Sequence, residues 1–370
     1  MKKFLATLFL VFAASAFCEV KLGALFAVTG PASFLGMPEK NTLEMLVEEI
    51  NANGGINGEK IELIVYDTKS DDAEARKKFL RLVKKDGVIA VIGPTTTGET
   101  LALRDLAISE KIPLISCASS DRIVTPVNKY IFKVAPSDLH AVEKIFEYLK
   151  NTGKKSVGII TAQNGFGDAG RAAILKIKDA YGIDVVADEK FRDADKDMTT
   201  QLTKINDKSP DAVIVWGVGP APALIAKNFK QLGLKSTLVM SHGVASKKFI
   251  ELAGGAAENV ILPAGRLVVA DKLPDSDRFK SLLTNNERSY TKRYGEAVST
   301  FGGHAFDAFK IFQLAYTQDK NEIPLSIESI KNYLGTYGEF NFGADDHNGL
   351  TKDAFVMITI KNGEWELLGN

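Results

Sequence analysis

Two cysteines in 370 residues, Cys18 and Cys117, are too few for a disulfide framework. The fold is therefore expected to rest on its apolar core. No excess of either charge exists: 46 Lys and Arg stand against 46 Asp and Glu, which argues against a nucleic-acid partner. The four histidines lack metal-ligand spacing, and neither a His-Glu-x-x-His nor a Gly-x-Ser-x-Gly element occurs. Zinc sites and elbow-type hydrolases lose their support. No cofactor is expected. Past the first turns of the chain there is no run of about twenty apolar residues that could span a bilayer.

What is present begins with a leader. Lys2 and Lys3 precede the apolar run from Phe4 to Ala14, the charged head and short greasy body of a secretory signal. Residues 1–18 are read as a cleaved signal peptide, with processing after Ala16 or Cys18, and the mature chain is expected in the periplasm as a soluble monomer. A lipoprotein anchor at Cys18 is the competing reading, and bulky Phe17 directly before the cysteine disfavours it.

From residue 20 onward, short β-branched runs alternate with amphipathic stretches. Strands are predicted over 20–27, 61–66, 88–92 and 112–116, with helices between them. Leu43, Leu46, Val47 and Ile50 mark the first helix by their spacing, and Asn53-Gly54-Gly55 ends it. The pattern restarts with strands over 156–161, 183–187, 212–216 and 236–240 and helices over 171–180 and 221–232. Two further helices, 277–294 and 304–316, and two closing strands, 354–361 and 365–368, follow. Such alternation implies an α/β fold with two Rossmann-like lobes, each built on a parallel sheet with helices on both faces. The first lobe is assigned residues 19–135 and 267–336, the second 136–266 and 337–370. Three hinge crossings near Ala135-Pro136, Gly265-Arg266 and Tyr337-Gly338 join them.

Three segments could carry chemistry. Gly165-Phe166-Gly167-Asp168-Ala169-Gly170 has the dinucleotide spacing, with Asp188 and Glu189 about twenty residues on. An NAD-dependent oxidoreductase is the reading that follows from it; a tight turn that lets helix and strand pack closely is the alternative. Gly93-Pro94-Thr95-Thr96-Thr97-Gly98 follows a strand and opens a helix, so hydroxyls and free N–H groups meet at a positive dipole end. It has no Gly-Lys-Ser/Thr ending, which favours a carboxylate over a nucleotide; the alternative is that Thr97 caps the helix. Ser116-Cys117-Ala118-Ser119-Ser120 lies at the carboxyl end of the next strand, the edge where open α/β sheets bind ligands. His242 and His304 fall near the expected cleft. Asp345-Asp346-His347-Asn348 lacks the glutamate of a calcium loop and reads as a polar turn.

Thr29-Gly30-Pro31, Asn53-Gly54-Gly55-Ile56-Asn57-Gly58, Ile92-Gly93-Pro94, Pro113-Leu114-Ile115-Ser116, Phe166-Gly167 and Ala253-Gly254-Gly255-Ala256-Ala257-Glu258 are spread along the whole mature chain. In this order they make the chain resemble the type I periplasmic binding proteins of the Leu/Ile/Val-binding family. The resemblance implies a substrate-binding component of an ABC importer, with no reaction of its own, working with membrane permease subunits. A ligand-sensing receptor domain of the same fold is the nearer alternative. It also implies a ligand carboxylate held by Thr97 and Ser120, with backbone contacts from Ala118 and Ser119. Phe166 falls where the family closes an aromatic ring over the ligand, Phe301 matches a wall residue, and the family's opening-loop aromatic falls at Phe34 or Leu35. Amino-acid binders of this kind meet the ligand ammonium with an acid after a second-lobe strand, and here His242 stands in its place. That departure points to a carboxylate without a free ammonium, an aromatic acid among the choices.

Overall fold

A computed structural model describes residues 19–368; the leader lies outside them. The chain opens with β1 (Glu19–Phe26), α1 (Ser33–Ala52), β2 (Lys60–Asp67), α2 (Asp72–Arg81), β3 (Ala90–Ile92), α3 (Thr97–Glu110), β4 (Leu114–Ser116) and β5 (Ile131–Lys133). It continues with α4 (Asp138–Asn151), β6 (Ser156–Ala162), α5 (Gly165–Tyr181), β7 (Asp184–Phe191), α6 (Thr199–Asn206), β8 (Ala212–Trp216), α7 (Ala221–Gln231), β9 (Thr237–Met240), α8 (Lys247–Ala253) and β10 (Ile261–Ala264). The last part holds α9 (Lys280–Tyr294), α10 (Thr300–Ala315), α11 (Ile323–Glu328), β11 (Tyr333–Leu334), β12 (Glu339–Phe340), β13 (Val356–Lys361) and β14 (Glu364–Leu367).

Two large sheets result. The first runs β2-β1-β3-β4-β5, all parallel. The second runs β14-β13-β10-β9-β8-β6-β7, parallel from β7 to β10 and antiparallel at β13 and β14. Central strands bury both faces, as parallel sheets covered by helices must. In β1 the alternation sends Leu22, Ala24 and Phe26 into one apolar cluster and Leu25 into another on the opposite face. In β6, Val157 and Ile159 part from Ile160 and Ala162 in the same way.

Chain order and space diverge after β10. The chain leaves the second sheet, lays α10 along α1, and then returns to add β13 and β14. Met45 of α1 shares an apolar cluster with Leu283 and Tyr290 of α9. The backbone therefore passes between the two sheets three times.

The structure moves several predicted boundaries. The strand predicted over 183–187 is the longer β7, and the helix predicted over 171–180 begins at Gly165. β5 was not predicted. His347, in the segment read as a polar turn, is fully buried and stacks on Phe132 with ring centroids 4.1 Å apart. In that segment Asp346 accepts the backbone N–H groups of Asn348 and Gly349, which makes a tight turn.

Candidate functional site

In the first sheet the order reverses at β1, with connections leaving to β2 on one side and β3 on the other. In the second it reverses at β6. Open α/β sheets leave a crevice at the carboxyl ends of their strands at such a point. The two crevices face each other across one small cavity. Its walls come from the segments after β3 and β4, from the starts of α1 and α5, from the segments after β8 and β9, and from the start of α10.

The Gly93–Gly98 loop is built to leave one hydroxyl over. Gly93 has φ +91°, and a Cβ there would lie 2.2 Å from the Leu25 carbonyl oxygen, so only glycine lets the loop lie on β1. The Thr95 hydroxyl accepts the Ala27 N–H at 3.0 Å and donates to buried Glu39. Thr96 is the helix cap: its hydroxyl accepts the Glu99 N–H while the Glu99 carboxylate accepts the Thr96 N–H at 3.0 Å, a capping box. Thr97 is thereby released from capping. Its Oγ1 is buried with no partner among the described residues, at the positive end of α3, and Thr97 lines the cavity.

Ala118 and Ser119 line the cavity from the segment after β4. The Ser119 hydroxyl donates to Asp138 Oδ1 at 3.0 Å, and its carbonyl accepts from the buried Lys133 ammonium at 2.9 Å. Lys133 also holds the Ala135 carbonyl at 3.0 Å, which ties this segment to the first crossing. Ser120 lies outside the cavity lining. Its hydroxyl accepts the Arg122 N–H at 3.3 Å and caps a short 3-10 turn, 121–123.

The rest of the lining is largely aromatic. Phe166 lines the cavity at the start of α5, and Phe301 does so from α10. Phe34 stands behind: its ring meets Phe301 edge to face at 5.9 Å, and Leu35 of the same turn lines the cavity instead. His242 is enclosed by Phe166, Trp216 and Phe355 at centroid distances of 5.2–5.7 Å. His304 stacks on Tyr337 at 4.7 Å. Burial drives both imidazoles down to pKa values of about 3, with the Lys133 charge acting in the same direction, so both are neutral. His242 Nδ1 and both ring nitrogens of His304 are buried without a partner among the described residues.

The glycines of the dinucleotide-like segment have a packing role. A Cβ on Gly167 would lie 1.9 Å from the Ala162 carbonyl oxygen, and one on Gly170 would lie 2.2 Å from the Trp216 indole. The Asn164 side chain already accepts the Phe166 and Gly167 N–H groups that a pyrophosphate would need. The close-packing alternative accounts for the segment.

Outside the cavity a wider groove of about 1260 Å3 opens to solvent, with Thr97 and Phe166 lining both spaces. Here the two halves meet backbone to backbone. A Cβ on Gly165 would lie 3.2 Å from the Gly98 nitrogen, and one on Gly219 would lie 3.3 Å from the Pro31 carbonyl oxygen.

Sequence reasoning missed Asp138 as a member of this neighbourhood. Asp138 lies nineteen residues from Ser119 and is brought to His242, at 3.6 Å, by the crossing between sheets. His304, expected near the cleft, lines the cavity one turn after Phe301 on α10.

The family profile described as Periplasmic binding protein matches residues 19–364. The Leu/Ile/Val-binding protein BraC3 of Rhizobium johnstonii is 27% identical over 344 residues, covering 89% of this chain and 90% of that one. Among solved structures, an extracellular ligand-binding receptor from Rhodopseudomonas palustris HaA2 superposes with a TM-score of 0.89 at 27% identity, over 95% of this chain and 100% of that one. The branched-chain amino acid transporter substrate binding protein LivJ of Streptococcus pneumoniae, solved in complex with isoleucine, superposes with a TM-score of 0.84 at 28% identity, over 94% and 98% of the two chains.

Proposed function

Because this chain belongs to the periplasmic binding protein family, we propose that it is the substrate-binding component of an ABC importer, capturing a small organic carboxylate with an apolar body and delivering it to membrane permease subunits. No helix among the described residues is long and apolar enough to cross a membrane, so membrane passage falls to those partners. The single observation that carries the ligand class is that residues lining one largely apolar cavity hold buried polar atoms without a partner among the described residues: Thr97 Oγ1, His242 Nδ1 and the His304 nitrogens. Buried polar groups normally find partners; a ligand carboxylate at the positive end of α3 supplies one for Thr97.

In this reading Thr97, Ala118 and Ser119 hold the carboxylate end, Phe166 and Phe301 wall the apolar body, and His242 and His304 meet polar atoms. Ser120 and Phe34 support the site from behind. The domain division follows: lobes 19–135 with 267–336 and 136–266 with 337–370 hinge at their three crossings. Closure then buries the ligand between them.

Mass spectrometry of small molecules released on denaturing the purified protein identifies the ligand, and small-angle scattering with and without it measures closure. A released carboxylate and a smaller radius of gyration with ligand are expected. An identical radius in both states overturns the hinged reading.

A further inference from the structure

The second helix carries a charge pattern that the cavity does not use. From residue 76 to 85 the chain reads Arg-Lys-Lys-Phe-Leu-Arg-Leu-Val-Lys-Lys, six cations and no acid. Ala75, Phe79 and Leu82 are buried in the apolar cluster on one face of the first sheet. Arg76, Lys77, Leu80, Arg81, Lys84 and Lys85 are exposed, so the outward residues come in pairs four apart. Along an α-helix such pairs drift by about 40° per step. Here α2 runs without a break into a π-helical turn, Leu82–Asp86, and its wider winding takes Lys84 and Lys85 back over Leu80 and Arg81. One continuous basic face results, with Leu80, 37% exposed, at its centre.

Little in the protein neutralises this face. Glu74 meets Lys77 at 3.6 Å and Lys78 at 3.3 Å, and Lys84 pairs with Glu110. The Lys77 and Lys84 side chains stay 74% and 62% exposed, so these pairs are weak and open to exchange for another anion. Arg76, Arg81 and Lys85 make no ion pair among the described residues. Arg76 donates to the Ala102 carbonyl at 2.6 Å, and Arg81 lies 5.0 Å from the centre of the Tyr66 ring. The remaining acids of the segment, Asp71, Asp72 and Asp86, stand at its two ends. Asp71 caps α2, and Asp86 accepts the Tyr66 hydroxyl at 2.9 Å.

We infer that the outward face of α2 and its π turn docks the protein on a bilayer surface that carries anionic phospholipid. The inference goes beyond the proposed function and does not depend on what the cavity holds. Long Lys and Arg stems reach lipid phosphates from a convex helix, and an exposed leucine among them enters the headgroup boundary. Basic clusters of this size are drawn to anionic leaflets. A protein partner is held instead by anchors buried in an apolar centre, and Leu80 is the one apolar residue among the six outward ones. No helix among the described residues can cross a membrane, so the contact is peripheral. Because α2 joins the parallel strands β2 and β3, it starts at the cleft edge of the sheet and carries Lys84 and Lys85 to the far edge. Docking through this flank leaves the cavity uncovered and confines delivery to the membrane plane, where the permease subunits of the proposed importer lie.

The test is sedimentation of the mature chain with vesicles of phosphatidylcholine alone and of phosphatidylcholine and phosphatidylglycerol in equal parts. It is run at about 10 mM and about 150 mM salt, between which the screening length falls from roughly 30 Å to roughly 8 Å. Binding to the mixed vesicles is expected to be about tenfold or more tighter than to phosphatidylcholine, and to weaken about tenfold or more at the higher salt. Combining Lys77→Gln, Arg81→Gln, Lys84→Gln and Lys85→Gln is expected to cost about tenfold or more, and Arg81→Gln with Lys85→Gln, which breaks no ion pair, several-fold. Leu80→Gln is expected to cost several-fold as well. The control combines Lys190→Gln, Lys196→Gln, Lys204→Gln and Lys208→Gln, an equal loss of charge from exposed positions on the second half of the protein, and is expected to bind within about twofold of wild type. Thermal unfolding checks that every variant folds. Equal binding to both kinds of vesicle, no binding at low salt, or an equal loss in the control overturns the inference. Capture by soluble polyglutamate with the vesicles left bare, or vesicle binding indifferent to Leu80, assigns the face to an acidic polypeptide and overturns the bilayer. None of these residues lines the cavity, so each of these failures leaves the proposed function standing.

Discussion

Replacing Thr97 with valine separates binding from folding. Valine keeps the branched shape and loses only the hydroxyl, at a residue that is 2% exposed. In the free protein that hydroxyl has no partner among the described residues, and a buried unpartnered polar group costs roughly 1–3 kcal/mol. Thr97→Val therefore leaves the free protein as stable as before or more so. The cap is untouched, because Thr96 and Glu99 make it. In the complex the hydroxyl donates to a carboxylate, and a hydrogen bond to a charged group is worth about 1.5–3 kcal/mol. Its loss weakens binding about 10- to 100-fold. Titration calorimetry with the ligand identified by mass spectrometry, beside thermal unfolding of the empty protein, reads both quantities. An unchanged affinity, or a free protein that melts lower with its affinity intact, refutes the assignment of Thr97 to the carboxylate.

Ser120→Ala is expected to act in the opposite sense. It removes a cap worth about 0.5–1 kcal/mol of stability, and affinity stays within about twofold because the hydroxyl faces Arg122; calorimetry and melting again separate the two. Asp138 gives a pH signature in the empty protein. Burial first and Asp121 second raise its pKa from 3.8 to about 7, so between these values the folded chain holds a proton that the unfolded chain has released, and the contribution of this group to stability falls as pH rises from about 4 to 7. Asp138→Asn removes that slope. Its melting temperature relative to wild type is expected to climb between pH 4 and 7 and to level off above; a difference independent of pH would show that Asp138 titrates normally.

The architecture was legible because apolar periodicity reports burial directly. The runs behind β1, β6 and β8 are near-continuous in apolar residues, as strands covered on both faces require. β5 escaped because three residues carry no period, and because Lys133 reads as a surface residue although its stem and ammonium are buried between two carbonyls. The true start of α5 was hidden by Gly165, Gly167 and Gly170, which weaken helix propensity; Gly167 and Gly170 allow contact with β6 and Trp216, and Gly165 approaches Gly98.

At the site, strand-end loops were readable one by one, and the crevice rule placed them together. Which hydroxyl caps and which is free was beyond sequence: Thr96 and Thr97 are chemically equal, and only the reach of Glu99 distinguishes them. The same holds for Phe34 and Leu35, whose order is decided by the turn that opens α1. Asp138 could not be seen because Ser137-Asp138 reads as an ordinary helix start; Ser137 does cap α4. Its second partner, His242, is brought near only by the fold.

If the two lobes hinge as proposed, the close approach of Gly165 to Gly98, outside the cavity, enters every affinity the protein displays. Apparent affinity equals intrinsic affinity scaled by the fraction of molecules in the competent state. A side chain at Gly165 would act as a doorstop, felt equally by every ligand since it touches none. Selectivity and retention are thus written in separate places. In the proposed hinged protein the inner walls would choose the cargo, and this bare pair of α-carbons would adjust how long the cargo is kept before release, a dial that can turn without altering which molecule is chosen.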